Sequence, residues 1–191
     1  MKSATRIAAL TLALLPMACA PDPIPDHAFL QSAAPFGSNQ DPQTAAIVVG
    51  AWTLASPARS ANNPLAGARA IAAVDYMAGD LYANPRWEFI SPTIKQQMLQ
   101  ARGEVRSAVG IAPNAPSQEV VDSLLSVAAA QAVANAPAVY ASLQSPVFTR
   151  PPEQTYAALT NLPPLPIANV ATQHLNSAIN GPGDRRCFPC G

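Results

Sequence analysis

From Pro42 to Asn180 the apolar residues recur every three or four positions, and no stretch shows the strict alternation of a half-buried strand. A first helix is expected from Pro42 to about Ala55, through AAIVVGAWTLA. A second starts with Asn63 as N-cap and Pro64 in the first helical position. Its apolar stripe is Ile71, Val74, Ala78 and Leu81 with Met77 and Tyr82, and Arg69 and Asp80 fall opposite, on the expected solvent face. The same serine-or-asparagine-then-proline signal at Ser91 and Pro92 opens a third helix, with Ile94, Met98, Ala101, Val105 and Val109 inward. A fourth, capped by Ser117, buries Val120, Val121, Leu124, Leu125, Ala128 and Ala132 and ends near Asn135 to Pro137.

Beyond Pro137 the pattern is more broken. PAVYASLQ suits a short helix, and residues 145–166 hold too many prolines for more than a turn or two around Gln154 to Leu159. Val147, Phe148, Tyr156, Leu159, Leu162 and Leu165 are too apolar to leave in water, so this stretch is expected to strap across the helices. A last helix, Ile167 to Asn180, stops at Gly181 and Pro182. The expectation is an all-α domain over residues 42–180: one small bundle of about four main helices, a proline-rich strap and a C-terminal helix. Residues 19–41 are proline-rich and aperiodic, which predicts a tether in partly extended conformation. Phe29, Leu30 and Phe36 are the side chains that would instead hold this segment on the domain as a packed arm.

Composition narrows the function classes. Only 12% of residues are charged and 49% are hydrophobic, with 21 prolines, which suits neither a charged disordered chain nor a nucleic-acid binder. Lys2 and Arg6 precede an apolar run from Ile7 to Met17, the layout of an export signal and too short to span a bilayer. Without residues 1–18 the chain keeps 9 basic against 11 acidic residues, so no basic field for nucleic acid or anionic lipid remains.

Two cuts compete at the end of the signal. A-C-A, residues 18–20, has the small-residue spacing of a type I signal-peptidase site, but Pro21 would then follow the scissile bond with restricted geometry. Cleavage before Cys19 leaves small Ala18 behind, and LPMAC, residues 15–19, resembles the lipobox of bacterial lipoproteins, with Pro16 where leucine is usual. The resemblance covers residues 1–19 and implies a diacylglyceryl group on the Cys19 thiol and an acyl chain on its amine. More than one chain gives durable membrane attachment without a spanning helix. Ala20 in place of aspartate implies sorting to the outer membrane, with the domain facing the periplasm.

The search for catalytic chemistry finds no G-x-S-x-G, H-E-x-x-H, P-loop or G-x-G-x-x-G. His27 and His174 each lack a second ligand or carboxylate at ligand spacing, so no catalytic residue, metal ligand or cofactor is assigned. Asp75 and Asp80, or Glu88 and Glu104, could be paired carboxylates in space, but nothing in the sequence places them together, and they read first as solvated charges balanced by Arg69, Arg86, Arg102 and Arg106. The stretch YANPRWEFISP concentrates Tyr82, Trp87 and Phe89 around Arg86 and Glu88. It reads first as an aromatic plug at a helix connection, and otherwise as a surface for a ligand or partner formed by Tyr82, Arg86, Trp87 and Phe89. With Cys19 lipidated, Cys187 and Cys190 remain as an even pair in an oxidising compartment, which predicts a disulfide in the tail, residues 181–191. The functional expectation is a lipid-anchored, non-catalytic envelope protein that binds or scaffolds another envelope component. The alternative is a soluble periplasmic ligand-binding or redox accessory.

Overall fold

The computed structural model describes residues 24–31, 34–37 and 40–181. The chain is all-α over these residues, with seven helices: α1 (Pro42–Leu54), α2 (Pro64–Ala83), α3 (Pro92–Val109), α4 (Ser117–Ala132), α5 (Ala136–Leu143), α6 (Pro152–Thr160) and α7 (Pro166–Asn180). Two single 3₁₀ turns, Pro57–Arg59 and Pro85–Trp87, punctuate the connections. A cap followed by proline recurs because a proline in the first turn gives up an N–H that has no partner there anyway. The side chains of Asp41, Asn63 and Ser91 accept the N–H groups of Thr44, Ala66 and Ile94 at the starts of α1, α2 and α3.

The core is built around α2, which packs against α1, α3, α4 and α6. Its expected solvent face is buried at Asp80 and only half-exposed at Arg69. Ala68, Ala70, Ala72, Ala73 and Ala78 are all buried, and Asp75 and Asp80 are buried with them. A helix apolar nearly all round has to be central, and the alanines allow neighbours to close in from every side. Two glycines mark where the approach is closest. A Cβ on Gly67 would clash with the carbonyl oxygen of Leu159 in α6, and one on Gly79 would stand 2.6 Å from the carbonyl oxygen of Asp26.

That second contact belongs to the packed-arm alternative for the described part of residues 19–41. Residues 24–31 and 34–37 lie along the bundle as an arm, with Ala28 and Phe36 in the core and Leu30 packed against it. Phe29, proposed from sequence as an anchor, is instead exposed. Polar bonds fix the arm: Asp26 O accepts from Arg102 Nη1 at 2.8 Å, and the Phe29 amide donates to Gln118 Oε1 at 2.8 Å.

Ser117 does not cap α4 as expected; it is the first helical residue, and Pro116 holds the cap position. The Ser117 amide donates to the Asp26 carboxylate at 2.5 Å, so a carboxylate from the arm does the capping from 91 residues away. Val120, Val121, Leu124 and Ala128 are buried as expected; Leu125 is half-buried, Ala132 exposed, and Val127 takes the remaining inward place.

The strap crosses as expected, with Val147, Phe148, Leu159, Leu162 and Leu165 buried, although α6 occupies nine of its residues. It is pinned to the α3–α4 connection by the Ala112 amide on Val147 O and the Thr149 amide on Gly110 O. Gly110 ends α3 at φ +75°, the left-handed conformation that favours glycine. No helix among the described residues is long and apolar enough to cross a membrane.

Candidate functional site

The aromatic stretch after α2 is partly plug and partly surface. Trp87 is 1% exposed and donates its indole N–H to Asp80 Oδ2 at 2.7 Å. A buried indole needs such an acceptor, and Asp80, seven residues earlier, supplies it from the last turn of α2. Arg86 lies over the Trp87 ring, 4.7 Å from its centroid, and its Nη1 reaches Asp41 Oδ2 at 2.8 Å and Gln43 Oε1 at 2.6 Å. Phe89 is 66% exposed with its ring 6.3 Å from that of Trp87. Tyr82 faces elsewhere, its hydroxyl 3.5 Å from Gln96 Oε1 and its ring under Lys95. The structure therefore gathers Arg86, Trp87 and Phe89, and leaves Tyr82 outside the group.

Beside them opens a cavity of about 530 Å³. The arm contributes His27, Phe29 and Leu30, the start of α1 contributes Asp41 to Gln43, and α2 and its exit contribute Tyr76, Asp80 and Asn84. Tyr76 is buried beside Gln43 and Asp80. Burial, then the Asp80 charge, pushes its phenol far above the ordinary value, so it remains a donor at any physiological pH. Asp80 thus accepts from one neutral donor, the Trp87 indole, has the Tyr76 phenol beside it, and makes no ion pair among the described residues. Asp41 at the rim is exposed. Desolvation pushes its carboxyl up, but the Thr44 amide and hydroxyl and the Arg86 guanidinium outweigh this and hold it below the usual range. Among the described residues the cavity carries a formal surplus of negative charge, since Asp41 and Asp80 line it and Arg86 beside it is committed to Asp41.

Asp75 behaves otherwise, and the solvated-charge reading fails for it. It is 0% exposed and takes both oxygens to Arg106, from Nε at 2.6 Å and from Nη2 at 2.9 Å. The remaining Arg106 donors reach Pro113 O, Ala115 O and Ser117 Oγ. Every guanidinium donor is used, which is what makes so buried a pair tolerable. Ser117 Oγ also accepts from Arg102 Nη1, so α2, α3, α4 and the arm meet in one buried network. Asp75 and Asp80 are not a working pair, and neither are Glu88 and Glu104: Glu88 is exposed, and Glu104 accepts the Ala168 amide at 2.7 Å to cap α7.

His27 stacks edge-on to Phe29 at the cavity wall, and His174 contacts Gln97 on α3. No serine, threonine or cysteine among the described residues is hydrogen-bonded to a histidine, and no three His, Cys, Asp or Glu side chains among them gather as for a metal ion. Cys19, Cys187 and Cys190, and with them the lipidation and disulfide expectations, lie outside the described residues. The groups missed from sequence are Asp41, Gln43, Tyr76 and Asp80. Their signal was the need of a buried Trp87 for an acceptor, together with the i, i+4 spacing of Tyr76 and Asp80 on α2. No family profile, no curated protein and no solved structure matches the chain.

Proposed function

We propose that the chain is a lipid-anchored protein of the bacterial cell envelope, attached through Cys19 to the outer membrane on its periplasmic side, whose helical domain binds another envelope component without catalysing a reaction. The observation that carries this reading is the double use of the arm. The segment that leads out of LPMAC also forms one wall of the cavity beside Asp80. Asp26, which is clamped to α4, is only seven residues from Cys19, and such a stretch reaches at most about 25 Å when fully extended. Anchoring would therefore hold the cavity close to the bilayer surface rather than on a long spacer. The negative surplus at Asp80 and Asp41 favours a bound component that presents a cationic group.

Fractionation of cells tests the reading. The mature chain is expected in the outer-membrane fraction, with a mass that places acyl chains on its first residue, and Cys19→Ser is expected to abolish both. A soluble chain beginning at Pro21 and indifferent to that substitution would overturn it. The same preparation, labelled with a thiol reagent under denaturing, non-reducing conditions, tests the proposed bond between Cys187 and Cys190, which predicts no label on either.

A further inference from the structure

A second hollow, about 470 Å³, runs along α3 and is walled by Leu99, Arg102, Gly103, Arg106 and Ser107 of that helix and by Arg150 of the strap. We propose that this hollow is a binding site for an oxyanion, the carboxylate or phosphate group of a small ligand. It is separate from the cavity beside Asp80 and does not depend on the membrane anchor.

Charge is the first ground. Arg102, Arg106 and Arg150 face the hollow, and among the described residues two carboxylates, Asp75 and Asp26, answer Arg102 and Arg106. Asp75 is spent entirely on Arg106, and Asp26 is spent on the amide of Ser117. Glu104, on the same helix, turns to the start of α7. One positive charge is left over in a partly enclosed place, where an anion is attracted far more strongly than at an open surface.

The second ground is the state of the donors. Arg106 has none to spare. Arg102 uses only Nη1, on Asp26 O and Ser117 Oγ, so its Nε and Nη2 have no partner among the described residues. Neither is among the described buried atoms left without a partner, and Arg102 lines the hollow. Burial, with Arg106 beside it, lowers the affinity of Arg102 for its proton, and Asp75 and Asp26 only partly offset this. A bound anion would relieve the same strain. Arg150 is held ready: its Nη1 and Nη2 donate to Ala108 O and Ser107 O at 2.9 and 3.0 Å, and its stem lies across Gly110, leaving Nε. A planar guanidinium already fixed in place loses little freedom when it takes a carboxylate or phosphate.

The third ground is Gly103. It sits in the interior of an 18-residue helix, where glycine is unfavourable, and a Cβ there would meet nothing within 4 Å. Packing does not require the glycine. What its missing side chain does is keep the wall of the hollow open.

Calorimetric titration of the full exported chain tests the proposal, with inorganic phosphate, citrate and short-chain phosphatidylglycerol below its micelle concentration as probes, each against chloride at equal ionic strength. One saturable site is expected. Phosphate or citrate binding assigns it to a free anion, and binding of phosphatidylglycerol alone assigns it to a lipid headgroup. Gly103→Leu is expected to weaken binding at least tenfold while melting no lower than the wild type, and Arg102→Gln to weaken it with the helix wall intact. The absence of saturable heat with all three probes, or an affinity unchanged in both variants, would overturn the site.

Discussion

Asp75 and Asp80 stand five residues apart on α2 and are both buried, yet the protein treats them in different ways. Asp75 meets a guanidinium whose every donor is satisfied, and the result is a closed clamp joining four parts of the chain. Asp80 meets an indole N–H and a phenol, both neutral, and the space beside it is a cavity rather than a side chain. The difference teaches that burial of a charge does not define its role. A fully paired carboxylate has nothing left to offer a ligand, whereas Asp80 makes no ion pair among the described residues and borders open space. The two flanks consequently carry opposite surpluses, positive along α3 and negative beside the arm.

The comparison is broken most severely at Arg106. Arg106→Met leaves the Asp75 carboxylate buried without a partner and is expected to cost about 3–5 kcal/mol by urea denaturation, whereas adding Asp75→Leu to it should recover most of the loss. A single variant no less stable than the double would mean the pair is not a closed unit. At the other carboxylate, Trp87→Phe removes the indole donor and should cost about 1–3 kcal/mol. Its effect should be local, with amide exchange rising at the end of α2 and in the arm and not in α4.

The mildest test is pH. The Asp26 carboxyl is pulled below its ordinary value: desolvation acts upward, but the Ser117 amide and hydroxyl, with Arg102 and Arg106, outweigh it. Asp41 is lowered in the same sense. Their contribution is therefore complete above about pH 4, near the unfolded value, and is lost as pH falls through the lower folded one. Tyr76 is shifted upward, so the folded state disfavours its phenolate and stability falls as pH rises above about 10. Acid is expected to release first the arm at Asp26 and the start of α1, and base to loosen the Tyr76–Asp80 end, each followed by hydrogen exchange. Simultaneous loss of all three regions at either extreme would remove the distinction.

Much of the architecture was legible because it depends on local rules. Cap-then-proline pairs such as Asn63–Pro64 and Ser91–Pro92 announce helix starts without reference to the rest of the fold. Periodicity likewise placed Met98, Val105 and Leu124 inward. What failed is what depends on partners distant in sequence. Arg69 and Asp80 suggested a wet face on α2 because the pattern cannot show that α4 and the arm come to cover it. Ser117 looked like a cap because its amide partner, Asp26, is 91 residues away. The arm looked like a tether because prolines prevent helix but do not prevent packing, and the room left by Gly79 is visible only in three dimensions. The aromatic stretch stands out in the sequence, but the cavity beside it is lined by Gln43 and Tyr76, which no local motif connects to it.

The most direct test of the contrast is the same substitution at the two carboxylates, Asp75→Asn and Asp80→Asn, compared by urea denaturation under identical conditions. An amide at position 80 can still accept from Trp87, so the loss there should be about 1 kcal/mol, while at position 75 it strands the Arg106 charge and should cost about 3–5 kcal/mol. Equal losses, or a larger loss at Asp80, would contradict the division of these residues into a structural clamp and a group held for binding.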